Sequence, residues 1–451
     1  MLSFDQTITM TRLYLRMSQK NASKMKKNLV LIILAFLSPL VTQAQYSSAS
    51  FTTKSTERIN LDSLNQIGQL LLEAIDNEWI AGAVALVAVD GEVVYEKAFG
   101  YRNIAQEIAL EPEDIFRMAS MTKPITSIAI LKLYEDGKLN FDDPVSKYIP
   151  EFANPQILVD VNPLDSSYTT KPATREVTIH DLLTHTSGIS YGFADTLMNK
   201  IYAKAGIIDL TTLKPIKIEE SIAKLAKLPL KHEPGEKFTY GLSIDVLGRV
   251  VEVASGQSFD QYLIENIFDP LGMNDTRFYF DDEAQAARLT TMYANTRREA
   301  LIEFPENPNA NMSAFFPIKG AKTYFSGGAG LSSTAQDYFK FCQMVLNDGE
   351  LNGLKILKKE TVAYAKNNQI GELRMGKDHF TYGYQVVPED GDLRFGRFHG
   401  KISWGGAFQT TFWIDPVRNS VAILLTQMYP SYHQQKLYGP FEKIVNGSFI
   451  D

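Results

Sequence analysis

Strand signals stand at both ends of this 451-residue chain with a long helical stretch between them, and that order limits the fold more than any single motif. Near the start, Ala81 to Val89 and Val93 to Gly100 flank Asp90-Gly91, a residue pair suited to a tight hairpin turn. Near the end, Gly383 to Val387, Leu393 to His399, Ala407 to Asp415 and Ser420 to Gln427 are rich in β-branched and aromatic residues, with Asp-Gly and Pro-Val-Arg-Asn turns between them. The middle carries apolar residues at helical spacing in Ile179 to Thr184, Ile218 to Leu228, Ser243 to Ala254, Phe259 to Phe268 and Thr334 to Leu346. Amphipathic helices are also expected at Leu61 to Asn77 and at Gln434 to Val445.

The expected fold class is therefore α/β, of the α+β kind: one antiparallel sheet formed by the two termini and flanked by helices, with a mostly helical domain inserted. The length exceeds what one hydrophobic core usually serves. An α/β lobe over about 59–118 and 347–451 and a helical lobe over about 119–346 are expected, with a cleft between them. Segments 154–175 and 300–322, rich in Pro, Asn and Thr, read as long loops that shape the cleft.

Within this frame, Ser120-Met121-Thr122-Lys123 opens an apolar helical pattern and puts a hydroxyl and an amine on one helix face. Pro124 is tolerated best in a first helical turn, so Ser120 falls at or beside the helix N-terminus, where free N–H groups favour a developing anion. The pair makes a nucleophile and its activating base, provided the amine is enclosed. A simple helix cap would also place a serine here.

Two later stretches could complete the chemistry. Pro234-Gly235 leads through Phe238-Thr239 to Tyr240, and a phenol beside an ammonium can act as general base and then general acid; packing alone would also explain a tyrosine. In Trp404-Gly405-Gly406-Ala407 the paired glycines let a strand edge approach a ligand closely, offering a backbone N–H to an oxyanion; an ordinary bulge is the alternative.

Five motifs in one order carry a resemblance. Ser120 to Lys123, then Leu182-Leu183-Thr184-His185-Thr186-Ser187-Gly188, Pro234 to Tyr240, Gly327-Gly328-Ala329-Gly330-Leu331 and Trp404-Gly405-Gly406 resemble the serine β-lactamase and penicillin-binding-protein superfamily, on its class C side. More closely, the chain is similar to the family VIII carboxylesterases. The resemblance implies Ser120 as acylated nucleophile, Lys123 as its partner, Tyr240 as base and acid, and the backbone N–H groups of Ser120 and Ala407 as the oxyanion hole. It also implies a β-lactamase/transpeptidase-like fold.

Two departures bear on substrate. Leu242 stands where β-lactamases carry an asparagine, and Trp404-Gly405-Gly406 replaces their Lys-Thr/Ser-Gly triplet. The loss of an amide and an ammonium removes anchors for an anionic β-lactam. Leu242, Trp404, Gly405 and Gly406 thus read as substrate-binding residues suited to an ester or another uncharged acyl compound. A β-lactamase or D-amino-acid peptidase, and an inactive binding protein on the same fold, are the alternatives. His185 to Gly188 and Gly327 to Gly330 read as structural turns.

The N-terminus reads as an address. From Met25, Lys26-Lys27, the apolar run Leu29 to Leu37 and Thr42-Gln43-Ala44 follow the order of a secretory signal. An upstream extension and signal over 1–44, a disordered mature terminus over 45–58 and a hydrolase domain over 59–451 are expected. That implies export to the periplasm or the extracellular space, with no stable membrane insertion once the signal is removed. Without residues 1–44 the charge is −12, from 39 basic and 51 acidic residues, which disfavours nucleic acid and anionic membranes as partners.

Cys342 is the only cysteine and reads as packing, not as a nucleophile. The six histidines show no metal-ligand spacing, and the expected chemistry needs neither metal nor cofactor. Gly188-Ile189-Ser190-Tyr191-Gly192 matches a G-x-S-x-G elbow but lacks the strand before it.

Overall fold

Eight antiparallel strands form one sheet, and both ends of the chain contribute to it. In the computed structural model, which describes residues 57–162, 164–296, 300–306, 312–391 and 397–450, the N-terminal end supplies β1 (Gly82–Val89), β2 (Glu92–Asn103) and β3 (Ile108–Ala109). The C-terminal end supplies β4 (His379–Phe380), β5 (Gln385–Val386), β6 (Ile402–Gly406), β7 (Thr410–Asp415) and β8 (Ser420–Leu425). The order is β4-β5-β6-β7-β8-β1-β2-β3, so the termini meet where β1 pairs with β8, Val84 opposite Leu425. The β1–β2 turn carries φ of +52° at Asp90 and +83° at Gly91, the left-handed conformations that Asp-Gly accommodates.

Every residue of β1 is buried because helices cover both faces of the sheet. Ala83, Ala85 and Val87 face α1 (Gln66–Asp76) and the last helix, α5 (Gln434–Gly447), in a cluster with Ile67, Leu71, Trp413, Leu437 and Phe441. The alternate residues Val84, Leu86 and Ala88 join Phe412, Ile423 and the large central core. That core includes α2 (Thr122–Glu135), α3 (Ser243–Ser255) and α4 (Ala335–Leu346). Full burial of one Val or Leu stabilises by about 1.5–3 kcal/mol, so this two-faced strand anchors the sheet.

α2 was expected to show one apolar stripe, yet Thr122 through Leu131 are all buried. It runs through the middle of the molecule, packed against α3, and Thr126 Oγ1 in it donates to the Gly327 carbonyl at 2.8 Å. The helix Ile179–Leu183 opens with a reciprocal Thr178–Asp181 capping box. α4 lies within the stretch expected as the helical lobe but packs on β1 and β8.

Several local expectations differ from the fold. Segment 154–175 is not all loop: Gln156–Val161 and Tyr168–Pro172 pair as a hairpin, although the strand Tyr168–Pro172 is exposed throughout and its polar sequence gave no alternation to read. Likewise Leu301–Glu303 pairs with Tyr293–Asn295 inside an expected loop. Helices Thr196–Ala205 and Lys359–Lys366 were not expected. The strand expected at Leu393 to His399 falls largely outside the described residues, and His379–Phe380 supplies the sheet edge. The expected signal, and the expected mature terminus as far as residue 56, also lie outside the described residues. Among those described, no helix is long and apolar enough to cross a membrane.

Candidate active site

Ser120 sits in the 3-10 turn Ala119–Met121 that leads into α2. Ala119 before it is held at φ +45°, a left-handed conformation that costs a non-glycine residue energy and presents the serine at a sharp corner. Lys123, the second residue of α2, is fully buried, whereas Ser120 and Tyr240 are half-buried.

Two groups converge on the serine oxygen. Tyr240 OH donates to Ser120 Oγ at 2.7 Å, and Lys123 Nζ lies 3.2 Å from the same atom. Lys123 Nζ also donates to Tyr191 OH at 2.9 Å and to the Gly328 carbonyl at 2.7 Å, and it lies 4.7 Å from the centre of the Tyr240 ring. A buried ammonium requires such compensation, here from a carbonyl, a phenol and two aromatic faces. Burial, with Tyr240 and Asp245 nearby, pushes the Tyr191 hydroxyl well above its ordinary range, so it stays a phenol.

Behind Gly328 lies Asp245 in the first turn of α3, fully buried. Its Oδ1 accepts from Ser326 Oγ at 2.6 Å and from the Gly328 N–H at 3.1 Å, fixing the loop that offers a carbonyl to Lys123. Burial pushes its carboxyl up to about 6, with Lys123 and the two hydrogen bonds opposing. The Gly-rich stretch 327–330, expected only as a turn, thus contributes an acceptor to the site.

The strand edge comes close. β6 packs on the 3-10 turn, and a Cβ at Gly406 would collide with the Met118 carbonyl, two residues before Ser120. Gly405 and Gly406 end β6, and Ala407 follows, exposed, in the turn before β7. Trp404 turns its ring to Tyr240, with centroids 5.5 Å apart at 62°, and to Phe380 at 5.3 Å and 73°. Trp404 and Tyr240 form an apolar wall beside the serine, with the buried Phe380 packed on Trp404.

Leu242, expected to bind substrate, is instead buried in the central core at the N-cap of α3, so it offers no surface to a ligand. His185 is buried against Tyr240, with centroids 4.8 Å apart, and against Phe238 and Phe380. Burial, and then the Lys123 cation, hold it well below its usual range and therefore neutral. Ser190 is buried in a segment that is neither strand nor helix, its Oγ donating to the Tyr191 carbonyl at 3.3 Å, unlike a nucleophile elbow. A Cβ at Gly241 would strike the backbone of Ile189 and Ser190, so this glycine lets the Tyr240 segment press against Tyr191.

Tyr191 and Asp245 were not singled out from the sequence, and Gly328 was read only as part of a turn. Tyr191 lay inside the discarded G-x-S-x-G match, and Asp245 is an acid on an otherwise apolar helix face five residues after Tyr240. Cys342 is buried in α4, where burial pushes its thiol well up, as suits packing.

Comparisons with known proteins agree with this fold. Residues 67–439 match the family described as Beta-lactamase. The chain is 31% identical over 368 residues to Esterase EstB of Burkholderia gladioli, covering 78% of this chain and 88% of that one. It is 32% identical over 383 residues to the lovastatin esterase of Penicillium rubens, covering 77% and 88%. Among solved structures, EstCE1, described as a hydrolase with promiscuous acyltransferase activity, superposes with a TM-score of 0.73 at 26% identity, covering 86% of this chain and 99% of that one.

Proposed function

The chain belongs to the beta-lactamase family, among the class C-like serine hydrolases that include the family VIII carboxylesterases, and from that premise we propose that it cleaves esters through an acyl-enzyme on Ser120. The observation that carries this reading is the convergence of Tyr240 OH, at 2.7 Å, and Lys123 Nζ, at 3.2 Å, on one serine oxygen.

In this mechanism Tyr240, as general base beside Lys123, takes the Ser120 proton while Oγ attacks the ester carbonyl. The oxyanion accepts from the backbone N–H groups of Ser120 and Ala407. Tyr240 then returns the proton to the departing alkoxide, leaving an acyl-serine. Water enters, Tyr240 takes one of its protons, and collapse of the second tetrahedral intermediate releases the acid and restores Ser120. No metal or cofactor takes part.

An uncharged acyl substrate is favoured by the wall of Trp404 and Tyr240, where an ammonium and an amide would serve an anionic β-lactam. Purified protein should hydrolyse short-chain p-nitrophenyl esters and leave a chromogenic cephalosporin intact; the reverse would overturn the ester reading. Export is part of the proposal, supported by the Lys26-Lys27, Leu29 to Leu37 and Thr42-Gln43-Ala44 order. Cell fractionation with N-terminal sequencing tests it, a cytoplasmic uncut chain being the contrary result.

A further inference from the structure

We propose that His185 is a positioning residue for Tyr240, holding the chain on both sides of the tyrosine and so setting its phenol on the Ser120 oxygen. The inference rests on Ser120 and Tyr240 acting as described above. Tyr240 belongs to no helix or strand: residues 231–242 run irregularly until α3 begins at Ser243, so no regular ladder of backbone bonds fixes it.

His185 supplies the missing bonds. The Thr239 N–H donates to the His185 carbonyl at 2.7 Å, and the Gly241 N–H donates to its Nδ1 at 3.4 Å. The residues before and after Tyr240 are thus bonded to one histidine, whose ring also packs on the Tyr240 ring with centroids 4.8 Å apart at 53°. His185 stands just past the helix Ile179–Leu183 at φ +56°, a left-handed conformation that histidine adopts more readily than most residues. Next to it, the Thr186 carbonyl accepts from the Gly235 N–H at 2.8 Å and joins the same two segments at a further point.

Packing alone does not account for a histidine here. Because Nδ1 accepts, the proton of the neutral ring sits on Nε2, and that N–H is buried with no hydrogen-bond partner among the described residues. A buried donor without an acceptor costs stability that an apolar side chain of similar bulk would not. Phe238 and Phe380 pack against the ring at 5.8 and 5.6 Å, surroundings that would suit such a side chain. What the imidazole adds is the acceptor facing Gly241, and burial keeps the ring neutral, as acceptance requires.

The test compares His185→Asn, His185→Gln and His185→Ala as purified full chains, at a temperature where melts show all of them folded. Asparagine tolerates left-handed φ and carries its side-chain oxygen at the level of Nδ1, whereas glutamine is closer to histidine in bulk but holds its oxygen one carbon further out. Positioning predicts that kcat for a p-nitrophenyl ester falls about 10- to 100-fold in His185→Ala and His185→Gln, stays within about threefold of wild type in His185→Asn, and that KM hardly changes. Packing predicts the reverse order, with glutamine the better replacement. The rate at which a fluorophosphonate labels Ser120 should rank the variants in the same way, because it reports the Ser120–Tyr240 pair whatever ester is preferred. Wild type that labels at Ser120 but turns over no ester would overturn the ester reading and leave the labelling order to decide this one. Glutamine as fast as asparagine, or a loss carried by KM alone, would overturn the proposal.

Discussion

Lys123 Nζ lies closer to the Gly328 carbonyl, at 2.7 Å, than to the Ser120 hydroxyl, at 3.2 Å. The ammonium is thus positioned by a loop more than 200 residues away, and Asp245 positions that loop through Ser326 and the Gly328 N–H. Truncation of Asp245 to Ala should lower ester kcat about 10- to 100-fold, the effect of losing about 1.4–2.7 kcal/mol of charge-assisted hydrogen bonding. Asp245→Asn, which keeps an acceptor, should retain most activity. Steady-state kinetics on both variants checks this.

The same carboxyl predicts a pH slope. Its folded value of about 6 lies above the ordinary 3.8, so the folded state holds the proton more tightly. Its contribution to stability is greatest below about pH 4 and is lost as the pH rises to about 6. Thermal melts of wild type and Asp245→Asn should diverge across that window, wild type losing ground as pH rises.

His185 predicts a slope of opposite sign. Burial and the Lys123 cation hold it below its ordinary 6.5, so the unfolded chain takes up the proton first as pH falls. Stability is lost from about pH 6.5 downward. His185→Gln should flatten that loss in melts recorded against wild type.

Gly406→Ala tests the strand edge. The added Cβ meets the Met118 carbonyl and Thr410 Oγ1, so β6 and the serine turn must move apart. If the Ala407 N–H serves the oxyanion, turnover should fall about 10²- to 10³-fold while substrate KM changes little. Loss of KM alone would move the strand edge from the oxyanion to substrate binding.

How far the sequence was legible follows from the range of each interaction. The β1–β2 hairpin could be read because Asp90-Gly91 fixes it locally, and α2 and α5 because helical period is local. Ser120 and Lys123 are three residues apart, so their pairing was also local. The partners of Lys123 were not legible: Tyr191 and Gly328 are 68 and 205 residues away, and no local pattern encodes a carbonyl's direction. Leu242 misled because it stands where the β-lactamases it resembles carry an asparagine, which suggested a substrate contact, whereas the start of α3 turns its side chain into the core. The exposed hairpin strand Tyr168–Pro172 escaped because it buries nothing, so nothing in its composition records a face.

The central claim is that Ser120 forms the acyl-enzyme, and covalent labelling reads it directly. The full chain treated with a fluorophosphonate should gain one adduct by intact mass, mapped by peptide sequencing to Ser120, and Ser120→Ala should gain none. Equal labelling of Ser120→Ala, or an adduct on Ser190, would contradict the account.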